Sequence, residues 1–192
     1  MMFDGAHGID LPKPHVASTP AAPSHAHLDG EICDGGHRML VRVYYEDTDF
    51  SGIVYHANYL RFLERGRSNY LRLLGADQRA LFSDGVGEAP GYAFVVRAMQ
   101  LEFLRSARMD DLLEVETRPL EVKGASITMG QRILRDGTVL FEAKVKVAFV
   151  SGGRPRPIPK AIRTAMSADG AGPDFASSNV MASKSISGDE PC

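Results

Sequence analysis

Two acids, a glycine and a histidine lie close together in one short stretch of the chain: Asp47, Asp49, Gly52 and His56. A carboxylate that is ionised at neutral pH and an imidazole that can donate a hydrogen bond are suited to attack on a carbonyl. An amphipathic segment follows, and the unpaired backbone N–H groups at a helix N-terminus can hold an oxyanion. These residue types in this order therefore indicate acyl chemistry.

A strand before the stretch and a helix after it would position these groups. Apolar and polar side chains alternate over residues 38–45, which predicts the strand, and apolar residues recur with a 3.6 period over 58–74, which predicts the helix. Lys123-Gly124 and Asp136-Gly137 predict tight hairpin turns between later strands. These later strands are predicted over residues 92–103, as one extended stretch or two, and over residues 112–122, 125–134 and 139–150. One long helix followed by antiparallel hairpins predicts an α+β fold in which the helix lies against a curved sheet.

The acidic stretch also carries a family resemblance. Its motif is Tyr-x-Asp-Thr-Asp-x-x-Gly-x-Val-x-His-x-x-Tyr, from Tyr45 to Tyr59, and it continues into Phe62, Glu64, Arg65 and Arg67. The motif is similar to the signature of hotdog-fold acyl-CoA thioesterases of the 4-hydroxybenzoyl-CoA thioesterase type. Within that type it resembles the bacterial branch associated with the Tol-Pal system. The resemblance covers roughly residues 38–166.

The resemblance implies a curved antiparallel sheet wrapped around one central helix. It also implies hydrolysis of an acyl-CoA to a free acid and CoA, without a metal or redox cofactor. Homodimers or homotetramers with the site at the subunit boundary are expected, and an acyl carrier protein is a further candidate partner.

The catalytic residues that this resemblance implies are Asp49 and His56. An aspartate on a turn is by itself more typical of an Asx-turn or a helix cap, whereas the matching family residue acts as nucleophile or as general base for water. These two routes remain open. His56 matches a histidine that faces the thioester and helps to hold the oxyanion.

Two other acids are secondary candidates. Asp47 is interpreted as a structural acid that hydrogen-bonds the loop. Glu64 competes with Asp49, because other hotdog branches use a helical acid, and its alternative is an ion pair with Arg67 three residues later.

The candidate substrate-binding residues fall into two groups. Tyr55, Asn58 and Tyr59 shape the acyl pocket or close the loop, and they equally suit core and cap positions. Arg154 and Arg156 are the preferred candidates for the CoA phosphates, because Arg matches phosphate geometry and prolines flank them. Weaker candidates for the phosphates, equally typical of a solvated surface, are Arg105, Arg108, Lys123 and Lys160.

Composition excludes several other functions. The chain has 192 residues, a net charge of −2 and a pI near 6.3, which argues against nucleic-acid binding. No apolar run is long enough for a membrane helix, and no signal peptide is recognisable, so a cytoplasmic protein is expected. Residues 37–166 are expected to form the hotdog domain, and 1–36 and 167–192 disordered tails rich in small and polar residues. The histidines of the N-terminal tail lack acidic or thiolate partners, so no metal site is predicted.

Two alternatives keep the fold and change the function. A non-catalytic acyl-carrier or lipid-enzyme binding module would use the pocket only to bind, and would not need both Asp49 and His56. A hotdog dehydratase would pair a histidine with an acid across a dimer.

Overall fold

An antiparallel sheet of seven strands forms most of the structure. The computed structural model describes residues 26–33, 35–76 and 91–169. The strands are β1 (Glu31–Cys33), β2 (Gly36–Arg42), β3 (Tyr92–Phe103), β4 (Leu112–Lys123), β5 (Ser126–Arg135), β6 (Thr138–Ser151) and β7 (Arg154–Pro155). Their order is β1-β2-β4-β5-β6-β3, with β7 beside the end of β6. The long strand β3 is therefore an edge of this sheet.

Three helices accompany the described strands: α1 (Ala26–Asp29), α2 (His56–Leu73) and α3 (Lys160–Asp169). The long helix α2 buries Phe62, Leu63 and Tyr70 completely. It approaches β4 closely at Gly66, where a Cβ atom would lie 2.9 Å from Oγ1 of Thr117. The core lies between α2 and one face of the sheet, so the predicted α+β architecture with one long helix is confirmed.

The predicted strands and the long helix agree with the structure to within a few residues. Asp136 and Gly137 both have positive φ, at 50° and 73°, as a two-residue type I′ hairpin turn requires. The strand predicted to run to Tyr45 instead ends at Arg42. The chain turns into a 3-10 helix over Tyr45–Asp47, which places Asp47 inside the structure.

The packed domain begins upstream of the predicted boundary at residue 37. Strand β1 pairs with β2, and Ile32 stands opposite His37. Asp29 accepts a hydrogen bond of 2.6 Å from Nη1 of Arg72 on α2. A strand of three residues carries too little periodicity to be recognised, and its contacts are made with residues distant in sequence. The other parts of the predicted tails, 1–25 and 170–192, lie outside the described residues.

The C-terminal boundary predicted at residue 166 falls within helix α3. Ile162 and Met166 on this helix are buried in the core together with Ile158. Their spacing of four residues places them on one face of a helix, although the sequence interpretation assigned no helix there. Among the described residues, no helix is long and apolar enough to cross a membrane.

Candidate active site

The acidic stretch folds into a tight loop between β2 and α2. Thr48 and Val54 face each other as a bridge, and the amide of Asp49 donates to the oxygen of Ile53 at 2.9 Å. Gly52 closes the loop with φ of 73°, a conformation that favours glycine. Asp49 is thus held at the start of a short, hydrogen-bonded turn.

The carboxylate of Asp49 is exposed and partly engaged. Its Oδ1 accepts a hydrogen bond of 2.8 Å from the amide of Ser51, which makes an Asx-turn. The second oxygen accepts no hydrogen bond from the described residues. The Asx-turn considered at the sequence level is therefore present, and it orients a carboxylate whose other oxygen is open to a ligand.

His56 is the first residue of α2 and is exposed at its N-terminus. Tyr55 is the N-cap, and its ring lies 4.3 Å from the His56 ring, between centroids. The first turn of a helix presents N–H groups without intrahelical partners and a partial positive charge. The imidazole and these N–H groups are therefore neighbours at the end of the loop that carries Asp49.

Asp47 and Asn58 connect the loop to the helix, and both are buried. The main-chain oxygen of Asp47 accepts hydrogen bonds of 2.9 Å from the amide of Tyr55 and from Nδ2 of Asn58. Oδ2 of Asp47 accepts another from the amide of Tyr44 at 2.9 Å. These contacts support a structural role for Asp47. Asn58 holds the loop against the start of α2 and is not an exposed ligand contact.

Tyr59 belongs to the core and supports the loop through a hydrogen bond to Ala107. Its hydroxyl oxygen accepts a hydrogen bond of 2.9 Å from the amide of Ala107, and burial raises the pKa of the phenol. The oxygen of Ala107 in turn accepts from the amide of Val54 at 2.8 Å. The ring of Tyr59 stacks on Phe141. Tyr59 therefore sets the position of the segment on which the loop rests.

Glu64 lies on the exposed side of α2, away from the loop. It is eight residues beyond His56, about 12 Å along a helix. Its carboxylate accepts a hydrogen bond of 2.6 Å from Oγ of Ser68, whereas Arg67 turns inward and donates to Gln131 at 2.8 Å. Burial lowers the pKa of Arg67, and the negative charge of Glu64 partly offsets this effect. The local environment of Glu64 is that of a solvated helix surface.

Arg154 and Arg156 are exposed at the opposite end of β6 from the loop. The amide of Arg156 donates to the oxygen of Phe149. The segment that supports the loop starts at the other end of β6, where the amides of Leu104 and Arg105 donate to the oxygen of Leu140. Phe149 and Leu140 are nine residues apart on β6, about 30 Å along an extended strand. Within one chain the structure does not bring these arginines to Asp49. Arg108, a weaker candidate, lies beside the loop and bridges to Ile53.

Two residues at the site were not identified from the sequence. Ala107 links Tyr59 to Val54 of the loop through its main-chain N–H and oxygen, and no pattern in an irregular segment reveals such a role. Phe50 follows Asp49 and is fully exposed, at 108% of its reference area. An aromatic residue at the tip of a polar turn was an available signal for a contact surface. Within the described residues, no group of His, Cys, Asp and Glu could hold a metal ion.

Comparison with known proteins identifies the family. Residues 43–166 match the model of the Thioesterase-like superfamily. The chain belongs to this superfamily. It is 46% identical over 136 residues to acyl-CoA thioesterase YbgC of Haemophilus influenzae, a match that covers 70% of this chain and 96% of the relative.

Solved structures agree with this family assignment. A probable thioesterase from Bartonella henselae has a TM-score of 0.60 and 45% identity, covering 65% of this chain and 99% of that one. A Thermus thermophilus thioesterase complexed with coenzyme A and Zn has a TM-score of 0.59 and 26% identity, covering 71% and 95% respectively. The predicted hotdog fold and the predicted class of thioester hydrolase are confirmed. The matched range includes the loop of Asp49 and all of α2.

Proposed function

We propose that this thioesterase hydrolyses acyl-CoA thioesters to a free acid and CoA, with Asp49 and His56 as its catalytic residues. The observation that carries the proposal is the open oxygen of the oriented Asp49 carboxylate, on the short loop that leads to His56 at the start of α2. The relatives named as acyl-CoA thioesterases support the substrate class.

The reaction can follow either of two balanced routes from this geometry. In the first, Asp49 takes a proton from water while the water oxygen bonds to the thioester carbon. In the second, Asp49 itself bonds to that carbon, and water later hydrolyses the mixed anhydride and restores the carboxylate. In both routes the C–S bond breaks and CoA leaves as a thiolate, which is a good leaving group because thiols have a pKa of about 8.5. His56 and the helix N-terminus stabilise the negative oxygen formed before that bond breaks.

Release of free thiol from acyl-CoAs of increasing chain length tests this function. Turnover of at least one acyl-CoA supports it, and the chain-length profile defines the acyl preference. Binding of acyl-CoA without thiol release would instead identify the non-catalytic binding module. The same acyl group offered on an acyl carrier protein tests that protein as an alternative acyl donor.

We further propose that the active form is a two-fold dimer joined along β3. This 12-residue edge strand exposes apolar side chains that a paired strand would cover. The large exposed apolar residues of β3 are Tyr92, Val95, Val96 and Phe103. A homotetramer would be built from two such dimers. Light scattering measures the number of subunits, and a monomer at working concentration would contradict this assembly.

Two-fold pairing of β3 would also give Arg154 and Arg156 a role. Arg154 stands opposite Ser151 on β6, and Ser151 stands opposite Tyr92 on β3. In an antiparallel pairing of two β3 strands, the Tyr92 end of one subunit lies towards the Phe103 end of the other. The arginines would then approach the other subunit's loop, where they would bind CoA phosphates.

Mixing two inactive variants tests this arrangement across the dimer. Asp49→Asn and the double variant Arg154→Gln with Arg156→Gln are combined and allowed to exchange subunits. If the arginines act on the other subunit's site, each mixed dimer contains one site with all residues intact, and activity returns. No recovery in demonstrably mixed dimers would contradict the role across the boundary.

A cytoplasmic location and a connection to the Tol-Pal cell-envelope system complete the proposal. The support for them is the motif from Tyr45 to Tyr59, which resembles the Tol-Pal-associated branch. Cell fractionation tests the location. Envelope integrity after deletion of the gene, with rescue by wild type and not by Asp49→Asn, tests the connection and its dependence on catalysis.

A further inference from the structure

The sheet face turned away from α2 contains a groove whose lining residues are not among those assigned above to the thioesterase site. Its volume is about 520 Å³, within the range of roughly 300–1,000 Å³ typical of small-molecule sites. The lining comes from four neighbouring strands and includes Gln100, Leu120, Glu121, Thr128, Lys144 and Lys146. On β6 the lysines alternate with the buried Val145 and Val147, so they point away from the core.

The strand register explains why a groove forms here. Two rows of residues cross β4, β5, β6 and β3 side by side: Glu121, Thr128, Lys146 and Ala98 in one, and Arg118, Gly130, Lys144 and Gln100 in the other. Residues directly opposite one another in a sheet share a face. The β5 positions are small, Thr128 and Gly130, while longer side chains flank them. The floor of the groove is therefore β5, and the two lysines form one wall.

Irregularities in the flanking strands bound this groove on both sides. The register of β3 shifts between Val96 and Ala98, and that of β4 shifts between Pro119 and Glu121. Leu120, the extra residue on β4, is exposed beside the groove. Such bulges bend a strand and redirect its side chains, and they are over-represented next to binding sites.

The charges in the groove are unevenly compensated. Two other basic residues of this face are paired, since Arg132 contacts Glu142 at 2.9 Å and Lys123 contacts Glu121 at 2.9 Å. Neither Lys144 nor Lys146 lies within 4.0 Å of a carboxylate of the described residues. The bond from Lys123 lowers the pKa of Glu121, and the charges of Lys146 and Lys144 lower it further, as expected for neighbouring groups. Two ammonium groups remain to attract an anion.

We infer that this groove binds a phosphorylated nucleotide, with its phosphates between Lys144 and Lys146. Alternate residues on a strand are about 6–7 Å apart, so the two ammonium groups can contact one phosphate or two linked phosphates. The hydroxyl of Thr128 and the amide of Gln100 provide polar contacts for a sugar or base, and Leu120 provides an apolar one. The nucleotide can be the adenosine-phosphate part of a CoA substrate or a free nucleotide that acts as an effector.

Calorimetric titration with adenosine 3′,5′-bisphosphate tests the binding site directly. We expect saturable binding to the full chain, weakened about tenfold or more by Lys144→Gln with Lys146→Gln, because two charge-assisted contacts are lost. Lys144→Arg with Lys146→Arg keeps both charges and should retain binding. Arg61→Gln removes an exposed basic residue of α2, on the other side of the sheet from the groove, and should have no effect. Absence of binding, or equal binding by the Gln double variant with unchanged melting temperature, would overturn the inference.

Kinetics with two thioesters of the same acyl group distinguish the two sources of the nucleotide. If the groove holds the CoA nucleotide, the Gln double variant raises KM for acyl-CoA and leaves hydrolysis of the N-acetylcysteamine thioester unchanged. If it holds a free nucleotide, KM for acyl-CoA stays constant while binding of the probe is lost. The titration needs no turnover, so an inactive protein that binds the probe would contradict the proposed function and not the groove.

Discussion

Asn58 and Asp47 are joined by a hydrogen bond of 2.9 Å that couples the acid-bearing loop to the first turn of α2. Both residues are buried, and the same Asp47 oxygen also accepts from the amide of Tyr55. This carbonyl is therefore the point at which the loop of Asp49 and the helix that begins at His56 are held in one geometry. The relationship predicts that Asn58 acts on catalysis without touching the substrate.

Replacing Asn58 by Ala should lower both stability and turnover. Loss of a buried hydrogen bond costs about 1–3 kcal/mol of unfolding free energy, and displacement of the loop should reduce kcat by about 10 to 100 fold. Thermal unfolding and thiol release measure the two effects. Asn69→Ala is the matched control, because Asn69 donates to Leu28 near the other end of α2. A similar loss of stability in both variants with kcat unchanged in both would contradict the positioning role.

Asp49→Asn should leave the fold intact and reduce thiol release by about 100 fold or more, since a positioned acid or base contributes that much. The amide can still accept the bond from Ser51 that shapes the turn. Glu64→Gln changes an exposed acid in the same way and should keep most of its turnover. If Glu64→Gln were as inactive as Asp49→Asn, the catalytic carboxylate would belong to the helix.

His56→Ala should lower kcat by a factor near 100 with little change in KM, because an oxyanion donor acts mainly in the transition state. The side chain is exposed, so little stability should be lost. His56→Asn keeps a donor and should retain more activity than His56→Ala. Near-normal rates in both variants would leave only the backbone N–H groups of α2 as oxyanion donors.

Removal of residues 1–35 should destabilise the domain, whereas removal of residues 1–25 retains every contact described for α1 and β1. The longer deletion eliminates the pairing of β1 with β2 and the ion pair between Asp29 and Arg72. A loss of about 1 kcal/mol lowers the melting temperature of a domain of this size by roughly 2–8 °C. Scanning calorimetry of the two truncated proteins provides the comparison. Equal melting temperatures of the two truncated proteins would instead support the N-terminal domain boundary predicted at residue 37.

Stability should decrease in mild acid because of His37. Its Nε2 donates to the oxygen of Asp29 at 2.6 Å, and its buried Nδ1 has no hydrogen-bond partner in the described part of the chain. Burial lowers the pKa of this imidazole, while the oxygen and charge of Asp29 act in the opposite direction. The folded protein therefore binds fewer protons than the unfolded chain at a pH just below about 6.5.

The stability contributed by neutral His37 is complete above the unfolded pKa and is lost as the pH falls from about 6.5 towards the lower folded pKa. The slope reaches at most about 1.4 kcal/mol per pH unit for one proton. Denaturant unfolding between pH 5 and 7.5, a range centred about the imidazole pKa, measures this slope. His37→Gln removes the titrating group, and a slope equal to that of wild type would assign the effect to another residue.

Local patterns in the sequence were sufficient for the elements and for the chemistry of the loop. The 3.6 period identified α2 because its apolar face packs on the sheet, and alternation identified β6 because one of its faces is buried. Asp136-Gly137 identified its turn because both residues tolerate positive φ. The arrangement of Asp49, Gly52 and His56 is likewise local, since a single loop and the start of one helix carry all three residues.

Tertiary structure decided what depends on residues far apart in the chain. From the sequence, Asn58 and Tyr59 were equally compatible with a substrate pocket and with the core. Their hydrogen bonds to Asp47 and Ala107 show that they support the loop. Arg154 follows β6 in sequence, yet it lies at the end of that strand away from Asp49. The groove of Lys144 and Lys146 exists only through the register of four strands. These features arise from long-range pairing and burial, which the order of residues along one segment does not specify.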